Sequence, residues 1–333
     1  MNTWGRLFRV SLLGESHGDG VAVLLDGVPA GLRLTVGDFA GDLRKRRGGL
    51  TGTTTRREAD RPLLKSGVRA GRATGAPVLI WLDNKDVDSG GYGEFRRKPR
   101  PGHVDFTAGV KFGGFNDIRG GGHFSGRLTA ALVAAGVVAK KMIAPAKIEA
   151  RLLEAGGETG AVGVSRAIQE AMAEGNSIGG IVECRVGGLP VGLGEPFFDS
   201  VESGLAHAAF AVPGVKGIEF GAGFRAARMR GSEFNDPIVD AKGTTATNHA
   251  GGINGGLTNG NELVFRAAIR PAASIGLPQR TVELPAGKRA EIRIRGRHDA
   301  CIALRVPVIL EASAAIVLAD LMAIDGRIPK IWR

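Results

Sequence analysis

Apolar positions in this chain fall into two kinds of run, and each predicts its own element. Short runs bounded by glycine predict strands at 7–13, 21–27, 181–187, 217–220, 263–269 and 291–295. The second of these stops at Asp26-Gly27, a turn signal. Longer stretches at 125–143 and 308–324 are apolar almost all round and predict buried helices. Lys140 and Lys141 fall near the C-terminal end of the first, where the helix dipole favours cations. Shorter helices are predicted at 163–174 and 200–211. Strand-rich segments separated by buried helices, without regular βαβ alternation, predict an α+β fold.

A chain of 333 residues can bury a large core as one or two domains, and no linker or repeat divides it. The 53 glycines show no three-residue period, which excludes collagen and implies many tight turns. The formal charge of +11 suits an anionic partner. It is clustered at Arg44-Lys45-Arg46-Arg47, Arg56-Arg57, Arg96-Arg97-Lys98 and Arg100. Solvated loops and an anion site both explain such clusters. With one tyrosine and three tryptophans, stacking on nucleic-acid bases is disfavoured, and no nucleic-acid partner is expected. Two cysteines give neither a disulfide framework nor zinc spacing, and no metal is expected. No uninterrupted apolar run approaches the roughly 18–20 residues that span a bilayer. The N-terminus lacks a signal-peptide pattern, so the expected location is the cytoplasm, with no membrane partner.

The sharpest motif is Gly14-Glu15-Ser16-His17-Gly18-Asp19, between the first two predicted strands. It formally matches Gly-x-Ser-x-Gly, the nucleophile elbow of serine hydrolases. An elbow needs a helix after the serine, and here a strand is predicted. Three further glycine-rich clusters follow. Arg100-Pro101-Gly102-His103-Val104-Asp105 precedes Arg119-Gly120-Gly121-Gly122-His123-Phe124-Ser125-Gly126-Arg127, which opens onto the buried helix. That loop suits either an anion site or a plain helix entry capped by Ser125. The segment from Asn248 to Gly260 is too poor in side chains for ordinary core and suits close approach of a ligand. Gly296-Arg297-His298-Asp299 could bind an anion while Asp299 tunes a histidine. Five of the six histidines lie in these clusters, and His17 and His103 have the setting of acid–base groups.

Taken in order, these motifs resemble the chorismate synthase family, from about residue 5 to residue 322. The likeness includes Asp26-Gly27-Val28-Pro29, Gly194-Glu195-Pro196, Val215-Lys216-Gly217-Ile218-Glu219 and the helix carrying Glu311. It implies one domain over 1–333, with helices sandwiched between antiparallel sheets, in a homotetramer. It also implies an anti-1,4-elimination of phosphate from 5-enolpyruvylshikimate 3-phosphate, giving chorismate with reduced FMN. By resemblance His17, His103, Ser16 and Asp320 are catalytic, and Arg46, Arg127, Arg297 and Asp299 hold the substrate. Flavin contacts are implied at His123, Phe124, Ser125, Asn248, Gly255, Arg270, Pro271, Ala272, Ala273, Ser274 and Arg297. An NADP contact is implied at Arg46. NADPH would serve as an indirect reductant, with an external flavin reductase as a candidate partner.

The chain departs from the family pattern in places. The usual Arg-Arg-Pro-Gly is Arg46-Arg47-Gly48-Gly49, and the arginine that usually follows is missing. Gly-Gly-Arg-Ser-Ser is Gly121-Gly122-His123-Phe124-Ser125, so only Ser125 carries over cleanly. Lys-Pro-Thr-Ser-Ser is Arg270-Pro271-Ala272-Ala273-Ser274, which keeps the charge and loses hydroxyls, so backbone contacts to flavin survive best.

Overall fold

A computed structural model describes residues 2–294 and 298–333. Two five-stranded antiparallel sheets flank a layer of helices. The first runs in the order Thr3–Trp4, Arg9–Gly14, Gly20–Asp26, Val78–Asp83, Leu63–Ser66. Side chains alternate across a strand, so every second residue turns inward. Val21, Val23 and Leu25 on one strand, and Val78, Ile80 and Leu82 on its neighbour, are buried accordingly. The second sheet runs Val215–Phe220, Leu263–Ile269, Gly180–Gly187, Lys147–Ala155, Glu158–Thr159. Cys184 and Phe265 are paired on its inner face, and Glu183 faces Arg266 outside.

The helices Thr129–Met142 and Val306–Ile324 pack on each other between the sheets. Being covered on both sides, they are apolar all round. A Cβ on Gly136 would lie 2.3 Å from that of Ala312, so glycine sets how closely the two axes approach. Ile302–Ile324 is long and apolar enough to cross a membrane by length and composition, yet 78% of its apolar 18-residue window is buried inside the protein. Lys140 does more than meet a helix dipole. Its Nζ lies 2.7 Å from Asp42 and 2.6 Å from Glu311, tying three helices together. A single apolar cluster runs from Phe8 to Ala319 and joins both sheets to the helices.

The predicted strand at 291–295 is displaced. Lys288–Ile292 pairs with Gln279–Glu283 in a hairpin outside both sheets, and residue 295 lies outside the described residues. The strands Val78–Asp83 and Lys147–Ala155 were not predicted. Neither was the helix Ala40–Arg46, which contains most of the basic run that suited either a solvated loop or an anion site. Its seven residues are too few to show a period, but Leu43 and Arg46, three apart, both turn inward.

Candidate active site

The turn between Arg9–Gly14 and Gly20–Asp26 carries Ser16 and His17 to one end of the first sheet. A strand follows Ser16, so a hydrolase elbow does not form. Across from it Gly120, Gly121 and Gly122 have φ of 58°, 82° and 54°, a left-handed run that side chains resist. A Cβ on Gly120 would fall 2.5 Å from His17 Nε2 and 2.7 Å from Ser16 Oγ. The loop backbone therefore lies against both groups. Ser16 N–H donates to Gly122 O at 3.0 Å. Ser125 Oγ donates to Ser16 Oγ at 3.1 Å and accepts from Arg127 N–H at 3.3 Å, capping the helical entry.

These walls open on a cavity of about 1100 Å³, lined by nine arginines against five carboxylates. At its floor Arg46 and Arg127 share one acid. Arg46 Nη1 donates to Asp60 Oδ2 at 3.1 Å, while Arg127 Nη1 donates to Oδ1. All three side chains are at most 4% exposed. Burial and the nearby Arg305 push the Arg46 guanidinium down to about 9, against the pull of Asp60. Further donors of Arg127 reach Asn84 Oδ1 at 2.8 Å and Asp83 O at 3.0 Å. Asp60 itself adopts a φ of 47°, a cost that its cationic partners, with Arg47 Nε a third at 4.0 Å, offset.

His17 Nδ1 lies 2.9 Å from Ser89 Oγ, and its ring meets the edge of Tyr92. Burial, then Arg56 and Arg119, lower its proton affinity. His103 Nδ1 is 2.7 Å from Asp105 Oδ1, and that carboxylate is gripped by Arg100. Asp299 lines the cavity and accepts from Thr54 N–H at 3.0 Å; the cation beside it is Arg305, 3.4 Å away. Phe124, Ser125, Arg270, Ala272, Ala273 and Ser274 also line the cavity. The side chains of Arg57, Arg270 and Arg293 line it with no acidic partner among the described residues.

Several expected residues stand elsewhere. Asp320 is not on the cavity: its buried carboxylate accepts the N–H groups of Arg6, Leu7 and Phe8 at 2.7–2.8 Å, tying the N-terminal segment to the last helix. Both of its oxygens are therefore engaged away from the cavity. Gly255 turns a two-residue hairpin with no atom within 4 Å of its notional Cβ, away from the cavity. Asn248 likewise lies off the cavity and donates to Glu262 O at 2.7 Å. His123 Nδ1 donates to Gly14 O at 2.7 Å, stapling the glycine loop to the Ser16 turn. Pro271 does not line the cavity, and Arg297 lies outside the described residues.

Sequence reasoning missed Arg56, Glu58 and Asp60 as site residues. Their signal was the alternation of charges: in the segment 57–62, residues 58, 60 and 62 are buried while 57, 59 and 61 are exposed, with the positive φ of Asp60 interrupting an extended course.

Against known proteins, residues 8–323 match the family model described as chorismate synthase. A chorismate synthase from Chitinophaga pinensis is 55% identical over 334 residues, covering 100% of both chains. One from Thermococcus kodakarensis is 44% identical, over 95% of this chain and 96% of that one. A solved structure titled as chorismate synthase superimposes with a TM-score of 0.74 at 25% identity, covering 97% of this chain and 93% of the other. The motifs, the helix-filled pair of sheets and these matches agree, and the chain belongs to the chorismate synthase family, carbon–oxygen lyases of the shikimate pathway.

Proposed function

We propose that the arginine-rich cavity holds 5-enolpyruvylshikimate 3-phosphate beside reduced FMN and eliminates phosphate to give chorismate. The observation that carries this reading is the buried pair Arg46 and Arg127 on the single carboxylate of Asp60. Two cations on one anion leave positive charge at the cavity floor, where burial makes it costly. A phosphate or carboxylate would complete the balance, and the guanidinium fork matches either. The volume of about 1100 Å³ is larger than a single small ligand requires.

The lining also fits a flavin phosphate and ring. Arg270, the backbone of Ala272 and Ala273, Ser274, Phe124 and Ser125 would hold it, in a cavity that Ile302, Val306 and Ile309 also line. When bound, reduced flavin supplies the electron chemistry of a cleavage that has no net redox change. The protein supplies proton control. His103 Nδ1 meets Asp105 Oδ1 at 2.7 Å and Arg100 Nη2 at 3.0 Å, and with Nδ1–H donated to the carboxylate, Nε2 would be left for the leaving phosphate. His17, neutral near pH 7 by its lowered proton affinity, receives or returns a proton at Nε2. An external reductase, with NADPH as indirect reductant, would supply the reduced flavin. Phe197, Phe198 and Phe224, each more than 80% exposed, support burial against other subunits, as in the homotetramer that the family resemblance implies.

The test is anaerobic turnover with reduced FMN and the enolpyruvyl phosphate substrate. Chorismate and phosphate in equal amounts support the reading. Phosphate alone would indicate hydrolysis and overturn it.

A further inference from the structure

We infer that Arg56 is a positioning residue that presents the Ser16 hydroxyl to bound ligand purely as a hydrogen-bond donor and keeps a fixed positive charge beside His17. Arg56 Nη1 donates to Ser16 Oγ at 2.9 Å, and Nη2 donates to Ser16 O at 3.0 Å. Ser125 Oγ donates to the same Ser16 Oγ at 3.1 Å. A serine hydroxyl offers two acceptor sites and one proton. Both acceptor sites are filled, so the proton is the capacity left for the cavity that Ser16 lines.

Arg56 is itself held. Its Nε and Nη2 donate to Glu58 Oε1 at 3.1 and 2.8 Å. Glu58 in turn accepts from Lys85 N–H at 3.0 Å and Asp86 N–H at 3.2 Å. The grip on Ser16 therefore runs back to the loop after Val78–Asp83. Around His17, Arg56 and Arg119 oppose a proton, Asp117 and Asp88 favour one, and Ser89 and Tyr92 touch the ring. Of the two cations, Arg56 has the larger effect.

The inference rests on the proposed function for its turnover part only. His17 is titrated by NMR in the ligand-free protein for wild type, Arg56→Gln and Arg56→Lys. The glutamine variant should titrate at higher pH and the lysine variant should stay near wild type, since it keeps the charge. A merely structural arginine would leave all three alike. Arg56→Lys should lower kcat on the order of 10²-fold with KM little changed, because the fork on Ser16 is lost. Adding Ser16→Ala should cost nothing beyond Ser16→Ala alone. Multiplying losses in the double variant, or an unmoved His17 midpoint in Arg56→Gln, overturns the inference. Should wild type make no chorismate, the function reading fails and the titration still decides the Arg56–His17 relation. Thermal melts establish that each variant is folded, and a glutamine variant that unfolds leaves the lysine variant and its double mutant to decide.

Discussion

His103 and Asp105 are joined through Nδ1 and Oδ1 at 2.7 Å, with Arg100 Nη2 3.0 Å from the same ring nitrogen, so Nδ1 is engaged away from Nε2. Arg100 holds the same carboxylate through Nε at 2.7 Å and Nη2 at 2.8 Å. An acceptor on Nδ1–H leaves Nε2 for chemistry. His103→Ala should slow turnover by roughly 10²–10⁴-fold with the fold intact. Asp105→Asn should cost turnover by about tenfold or more, since an amide can hold the ring in the wrong tautomer. Steady-state kinetics check both, and unchanged kcat in either variant would remove the dyad from the mechanism.

The same carboxylate makes a pH prediction. Burial raises the proton affinity of Asp105, but hydrogen bonds from Arg100 and His103 outweigh it, and the group sits well below the usual carboxylate range. A depressed carboxylate stabilises the fold fully above its unfolded value, near 3.8, and that stability is lost as pH falls through the folded value. Denaturant melts of wild type should therefore weaken below about pH 4 more steeply than those of Asp105→Asn. Parallel curves would contradict the assignment.

Asp60 is the counterion of two buried arginines, so removing it should be costly. Asp60→Asn should lose about 3–5 kcal/mol of stability, as when one partner of a buried pair is deleted. If the floor of the cavity is an anion site, added phosphate or sulfate should raise the melting temperature of this variant more than that of wild type. Equal shifts in the two proteins would mean that no anion enters there.

Gly120 is the point of the glycine loop that lies against His17 and Ser16. Its notional Cβ meets His17 and Ser16 rather than core, and its φ is 58°. Gly120→Ala should thus reduce kcat strongly, on the order of 10²-fold, while the melting temperature falls by only a few degrees. Full activity in a folded Gly120→Ala protein would show that the loop does not lie against the reacting groups.

Much of this arrangement was legible in the sequence. The two buried helices and the strands 181–187, 217–220 and 263–269 stand out because their apolar pattern is long or glycine-bounded, and all are found within a few residues. The Ser16–His17 turn, the triple glycine and His103 carry their chemistry in local sequence. Asp60 does not: its role depends on Arg46 and Arg127 arriving from two different helical segments. Nor could the sequence show that Asp320 is engaged by the amides of residues 6–8, more than 300 positions away. Gly255 shows the limit of motif reading, since its glycine-rich motif forms a hairpin off the cavity, while in the basic run 44–47 Arg46 is buried and Arg44 and Lys45 are exposed.

The most direct measurement of the central claim is product formation under three flavin conditions. Purified protein is mixed anaerobically with 5-enolpyruvylshikimate 3-phosphate and either reduced FMN, oxidised FMN or no flavin. Chorismate and phosphate should appear together, in equal amounts, over many turnovers with reduced FMN and should be absent in the other two. Equal product in all three, or none with reduced FMN in a folded protein that binds both ligands, would contradict the account.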